Sequence, residues 1–95
     1  MAFFVYMLAN RRNGTLYIGM TDDLARRVEQ HCAASVPGFT KRYGVTILVW
    51  FEVHETREAA KMRERAMKKW LRAWKVALIK KTNPEWLDLS AQIPF

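Results

Sequence analysis

The chain has 95 residues, enough for one domain of roughly 100 residues and too short for a second core, so residues 1–95 are expected to form a single domain. Its apolar share of 51% includes 12 aromatic residues, which excludes a disordered segment and supplies a core of two packed layers. A formal charge of +7 and a pI ≈ 10.0 create a field that polyanions feel, making nucleic acid the first partner to consider.

The chain opens with Ala2 to Leu8, an alternating run rich in Phe, Val and Tyr that predicts a strand. It carries no basic leader and no small-residue cleavage site, so a cytoplasmic protein is expected. Asn13-Gly14 is a hairpin turn signal, and Thr15 to Gly19 predicts the second strand. With a four-residue loop from Asn10 to Asn13, Tyr6 falls opposite Tyr17; with a two-residue Asn13-Gly14 turn the tyrosines share a face two pairs apart. Thr21 or Asp22 then caps a helix running to about Ala34, with Leu24, Val28 and Cys32 as its apolar stripe. Arg27 and His31 flank that stripe one turn apart, while Arg26 faces solvent. An arginine and a histidine at the margin of a core can reach one anion, such as a phosphate, the arginine by a bidentate fork.

Pro37-Gly38 ends this helix in a loop. The longest stretch without a charge, Gln30 to Thr40, is eleven residues, well short of the roughly 20 apolar residues of a membrane span. Val45 to Val53 is too apolar for an edge exposed on both faces and predicts the third strand. Thr56 caps a long helix with Ala60, Met67, Leu71 and Trp74 on one face, and a second helical piece, Lys75 to Lys81, stops at Asn83-Pro84. The order β-β-α-β-α-α predicts an α+β fold with a small three-stranded sheet, mixed or antiparallel, covered by helices.

The charge is concentrated. From Arg57 to Lys81 ten basic residues stand against two acidic ones, a balance of +8 that exceeds the whole chain's +7. Such a basic helix also suits an anionic membrane surface, a reading ranked lower because Trp70 and Trp74 are assigned to the core. A single cysteine, Cys32, excludes an internal disulfide and a zinc site built on several thiolates. The sequence has no glycine-rich phosphate loop, no GxSxG and no HExxH, which leaves P-loop, serine-hydrolase and zinc-peptidase chemistry without support.

Glu64 shares the helix face of Ala60, Met67 and Leu71 inside the most basic segment. A carboxylate there must be paired or point into a polar cleft. An intrahelical salt bridge with Arg57, Lys61 or Lys68 would satisfy it. So would Mg²⁺, an ion usually held by one or two carboxylates together with phosphate and water.

Tyr17-Ile18-Gly19, with Tyr6 eleven residues before it, Arg27 ten residues after Tyr17, His31 four further on and a later helical Glu64, resembles the GIY-YIG nuclease domain over nearly the whole chain. Trp70 to Lys75 and Asn83-Pro84-Glu85-Trp86 look like the small stand-alone bacterial members. The resemblance implies an endonuclease that hydrolyses phosphodiester bonds, with DNA the favoured substrate, the choice between DNA and RNA left open, and repair or processing of branched or damaged DNA as one setting. It implies one Mg²⁺ or Mn²⁺ on Glu64, phosphate stabilisation by Arg27, and a general base supplied by Tyr17 with Tyr6 or His31 beside it. A phenol needs the metal or nearby cations to lose its proton near neutrality.

The resemblance further implies that Arg27, Lys61, Lys68, Arg72 and Lys75 follow the nucleic-acid backbone, and that a late asparagine, for which Asn83 is the available residue, helps complete the site. No membrane and no small-molecule cofactor are expected, and the domain is expected to act as a monomer or weak homodimer. The first motif reads Phe4-Val5-Tyr6 and keeps only its tyrosine, and Met20 stands where some repair relatives have a lysine. The alternative is a nucleic-acid-binding module of the same fold with weak or no catalysis.

Overall fold

The computed structural model describes residues 2–33 and 43–93. The strand β1, Phe3–Ala9, is central, with β2, Leu16–Thr21, and β3, Ile47–His54, paired antiparallel on its two sides. Every residue of β1 from Phe4 to Ala9 is buried, because helices cover both faces of the sheet. Val5, Met7 and Ala9 point to one side and pack with Ala60, Met67 and Ile79 of helices α2, Arg57–Lys68, and α3, Arg72–Thr82. Phe4, Tyr6 and Leu8 point to the other and pack with Leu24 and Val28 of α1, Leu24–Cys32. Helix, sheet and helix therefore make three layers rather than the expected two, in an α+β fold whose sheet is wholly antiparallel.

The hairpin loop is Arg11 to Gly14, one position later than the four-residue alternative. Asn10 closes it, its N–H donating to Thr15 O (3.3 Å) and its side-chain Oδ1 accepting from Thr15 N (2.9 Å). Asn13 takes the left-handed conformation (φ 58), which asparagine tolerates. The resulting register pairs Leu8 with Tyr17 and Tyr6 with Gly19. Neither expected pairing holds: the tyrosines are diagonal neighbours on one face.

Asp23, rather than Thr21 or Asp22, is the N-cap of α1, its side chain accepting from Arg26 N (3.2 Å). Thr21 prepares that cap, its Oγ1 accepting from Asp23 N (3.0 Å). The buried stripe of α1 is Leu24, Val28 and His31. Cys32 is exposed, its Sγ donating to Thr46 O (3.5 Å), so His31 takes the core position expected for the cysteine. The Pro37-Gly38 loop and the expected helix end at Ala34 lie outside the described residues.

Thr56 caps α2 as expected, Oγ1 accepting from Ala59 N (3.1 Å). The long helix breaks after Lys68, however, and restarts at Arg72, with extended backbone at Leu71 (φ -61, ψ 147). The break lets Met67 and Ile79 both reach the sheet, with Trp70, Val76 and Leu78 packed against them. Leu71 (61% exposed) and Trp74 (55% exposed) are consequently left outside the core to which they were assigned. Arg72 fastens the break to the hairpin, its Nη2 donating to Asn13 O (2.9 Å) and Gly14 O (2.6 Å).

Among the described residues no helix is long and apolar enough to cross a membrane.

Candidate active site

The antiparallel register places Tyr6 and Tyr17 on the α1 side of the sheet, and α1 turns His31 towards them. The ring centroids lie 6.3 Å apart for Tyr6 and Tyr17, 6.2 Å for Tyr6 and His31, and 5.5 Å for Tyr17 and His31. Tyr6 Oη is 3.3 Å from His31 Nε2, and either atom can donate, according to which nitrogen of the imidazole carries its proton. Both side chains are buried, at 1% and 2% exposure, while Tyr17 is half-buried at the edge strand.

Gly19 is what admits this cluster. It lies opposite Tyr6, and a Cβ there would stand 2.5 Å from Tyr6 Oη, 2.7 Å from Tyr6 Cζ and 3.0 Å from Tyr17 Cε2. Only a residue without a side chain lets the phenol ring of Tyr6 lie across the strand. Gly19 was quoted within the motif but assigned no role of its own; an interior strand glycine, which weakens a strand and so marks close approach, was the available signal.

Arg27 and Glu64 meet the cluster from opposite directions. Tyr6 ionises well above the usual tyrosine range, chiefly because it is buried, then because Tyr17 is beside it; the Arg27 charge opposes that rise and the Glu64 charge adds to it. Tyr17, His31, Arg27 and Glu64 are therefore each in ring or electrostatic contact with Tyr6. Tyr6 keeps its proton at neutral pH. His31 titrates below its usual value, first because it is buried and then because Arg27 repels a second positive charge, which leaves it neutral and able to accept a proton.

The His31 shift has a consequence for stability. In the unfolded chain a histidine takes up a proton near pH 6.5, whereas the folded protein resists it. The contribution is full above about pH 6.5 and is lost as pH falls below it towards the lower folded value. The thermal midpoint is expected to drop between about pH 7 and about pH 5.5, and to drop less in His31→Gln, which keeps a polar partner for Tyr6. Calorimetry across that range checks it, and parallel pH profiles for the two proteins would remove His31 as the cause.

Glu64 is a half-buried carboxylate on α2, its side chain 18% exposed, with Lys68 Nζ 3.8 Å from Oε1. Lys68 and Lys75 line a cavity of about 250 Å³ together with Leu16, Tyr17 and Ile18, so two cations face the half-buried tyrosine. Arg27 borders a wider polar cleft of about 540 Å³ with Thr21, Asp22, Asp23, Arg26 and Gln30, at the N-terminal end of α1. That cleft is the larger of the two, but Tyr17 lines the smaller. Lys61 is exposed on α2.

Asn83 sits elsewhere. It is buried, its Nδ2 donating to Val49 O (3.0 Å) and Leu87 O (2.9 Å) and its Oδ1 accepting from Leu87 N (3.0 Å). Val49 is the extra residue of a bulge in β3, between Trp50, paired with Met7, and Leu48, paired with Leu8. Asn83 thus braces the bulge and the chain after α3 rather than joining the tyrosine cluster.

A family model, the GIY-YIG catalytic domain, matches residues 2–77. UPF0213 proteins of Staphylococcus aureus strains Mu3 and Mu50 are each 36% identical over 77 residues, covering 81% of this chain and 93% of theirs. The solution NMR structure of the UPF0213 protein BH0048 from Bacillus halodurans superimposes with a TM-score of 0.57 at 26% identity, covering 93% of each chain. With its tyrosine pair, arginine, histidine and helical glutamate gathered around Tyr6, and with that match, the chain belongs to the GIY-YIG catalytic domain family, whose activity is of the nuclease type.

Proposed function

We infer that this domain is a divalent-metal-dependent endonuclease acting on DNA, with branched or damaged duplexes as the substrate class to try first. The observation that carries this reading is the convergence of Tyr17, Tyr6, His31, Arg27 and Glu64 around one buried phenol, beside a cavity edged by lysines.

Mg²⁺ or Mn²⁺ suits Glu64 because the donor is a hard carboxylate oxygen whose neighbour, Lys68, sits at the long limit of an ion pair and is itself half exposed. Among the described residues no three His, Cys, Asp or Glu side chains gather, so one carboxylate would serve with phosphate oxygens and water. Bound there, the ion would supply Lewis-acid polarisation of the phosphoryl group and make the nucleophilic water more acidic.

The chain's own residues do the rest. Lys68 and Lys75 draw the phosphodiester to the cavity. Arg27 offers a planar fork to the phosphate and offsets the charge that develops on it. Tyr17 takes the proton of the attacking water as its own phenolic proton passes on, with neutral His31, 5.5 Å away between ring centroids, as the group to receive it directly or through water. Tyr6 holds His31 in place and leaves its own proton where it is.

A second reading, a nucleic-acid-binding module with little or no catalysis, draws on the Glu64–Lys68 pair, since a lysine that occupies the carboxylate could be its permanent partner. Incubation of the purified protein with supercoiled plasmid, single-stranded and branched DNA separates the two readings. Nicking or cutting is expected with Mg²⁺ or Mn²⁺ and none with EDTA. Salt-sensitive binding without cleavage under either ion would establish the module instead.

A further inference from the structure

We propose that the apolar hollow formed by Trp70, in the break before α3, and the exposed Trp74 of α3 is a stacking platform for unpaired nucleobases of the strand engaged at the catalytic cavity. This rests on the nuclease reading above and adds to it a substrate feature, single-stranded character next to the scissile phosphate.

The break between α2 and α3 is what creates the platform. Trp74 is 55% exposed, although a tryptophan is among the residues most worth burying. Trp70, Trp74, Ala77, Leu78 and Lys81 line an apolar hollow of about 610 Å³. The two indoles are 6.4 Å apart between centroids, with planes 76° from parallel. Trp70 is braced on one side: the Arg63 guanidinium lies over its ring, 5.1 Å from the centroid, and Arg63 Nε in turn donates to Glu52 Oε1 (3.1 Å). A rigid aromatic surface stacks a base with little loss of side-chain freedom.

Charge selects the occupant. The hollow belongs to the segment Arg57 to Lys81, with its balance of +8, and Lys81 stands on its border. A second copy of this chain would bring +7 against +7, which opposes association through this face. A polyanion whose monomers each carry an aromatic ring satisfies both the cations and the indoles, as in proteins that bind single strands by an electrostatic groove and aromatic stacking. Position agrees, since Lys75, the residue after Trp74, lines the Tyr17 cavity. A strand leaving that cavity along α3 meets Trp74 within one helical turn.

Binding of a short labelled oligodeoxythymidylate, its RNA counterpart, an abasic strand of equal length and a duplex, all in EDTA, tests the platform. Trp74→Ala is the main variant, because Trp74 is already outside the core and its loss should leave folding intact; Trp74→Phe keeps a ring. Trp74→Ala is expected to weaken the base-bearing single strands roughly five- to a hundredfold, to change the abasic strand and duplex by less than about twofold, and to leave the salt dependence of binding unaltered. Trp74→Phe should retain most of the affinity. Equal loss on every substrate, or no loss on any, overturns the proposal. So does an effect of Trp74→Ala confined to self-association in sedimentation, or to binding of anionic lipid vesicles. Because the assay contains no metal and reads no cleavage, a platform without nuclease activity and a nuclease without a platform give different results.

Discussion

Glu64→Gln is expected to lower metal-dependent DNA cleavage by roughly a thousandfold or more, while the protein stays folded and binds DNA at least as tightly as before. The argument turns on how little else Glu64 does. Its visible partner is Lys68 at 3.8 Å, an i,i+4 pair with Lys68 51% exposed. Such pairs contribute about 0.3–0.5 kcal/mol, so the thermal midpoint should move by a few degrees at most. Removing the carboxylate also removes one negative charge from a segment with a balance of +8, which favours a polyanion. Cleavage and binding therefore move in opposite directions, a combination that neither misfolding nor a lost salt bridge produces. Cleavage of plasmid in Mg²⁺ and in Mn²⁺, alongside binding in EDTA and a melting curve, reads all three quantities. Wild-type cleavage by the variant would make Glu64 a salt-bridge residue only, and joint loss of folding and binding would make it structural.

Tyr6 and His31, the two residues expected to assist Tyr17, respond to burial in opposite senses. Burial raises the ionisation of a phenol and lowers that of an imidazole, so it keeps Tyr6 protonated and His31 unprotonated. The same environment thus holds the proton on one residue and keeps it off the other.

Much of this was legible in the chain because the elements carry local signals. The apolar β1 run, the Thr56 cap and the order of strands and helices are each set by a few neighbouring residues. The tyrosine, arginine, histidine and glutamate set was readable because the motif has fixed spacing. What escaped depended on distant parts of the chain. Asn13-Gly14 signals a turn but does not choose between loop lengths; Asn10, by bonding Thr15 N, makes that choice. No glycine or proline marks the break at Leu71, which comes from the sheet's need for both Met67 and Ile79 and from Arg72 reaching the hairpin carbonyls. Asn83 carries no sign that a β3 bulge will need its amide. His31 looked like a flanking residue because periodicity cannot reveal a buried hydroxyl 25 positions earlier in the chain.

Gly19→Ala should damage both stability and cleavage, although it adds a single methyl group. The added Cβ would stand 2.5 Å from Tyr6 Oη and 2.7 Å from Cζ, distances at which an atom must move. Tyr6 is 1% exposed and packed with Phe4, Leu8, Leu24 and Val28, so its ring cannot swing away without disturbing the α1 face of the core. Overpacking of this kind costs about 1–3 kcal/mol, a drop of roughly 4–8 °C or more in the melting midpoint of so small a domain. The ring that moves is the one that holds His31 and lies beside Tyr17, and a displacement on the order of 1 Å at such a site costs about a hundredfold in rate. The nearest clash is with the hydroxyl oxygen, which gives the prediction a second arm. Adding Tyr6→Phe to Gly19→Ala should recover part of the lost stability, although Tyr6→Phe alone, by stripping a buried partner from His31, should lower it. Melting curves and cleavage rates for the four proteins of that cycle measure the coupling. A strictly additive cycle, or a Gly19→Ala protein as stable and active as the parent, would show that the glycine is not there to make room for Tyr6.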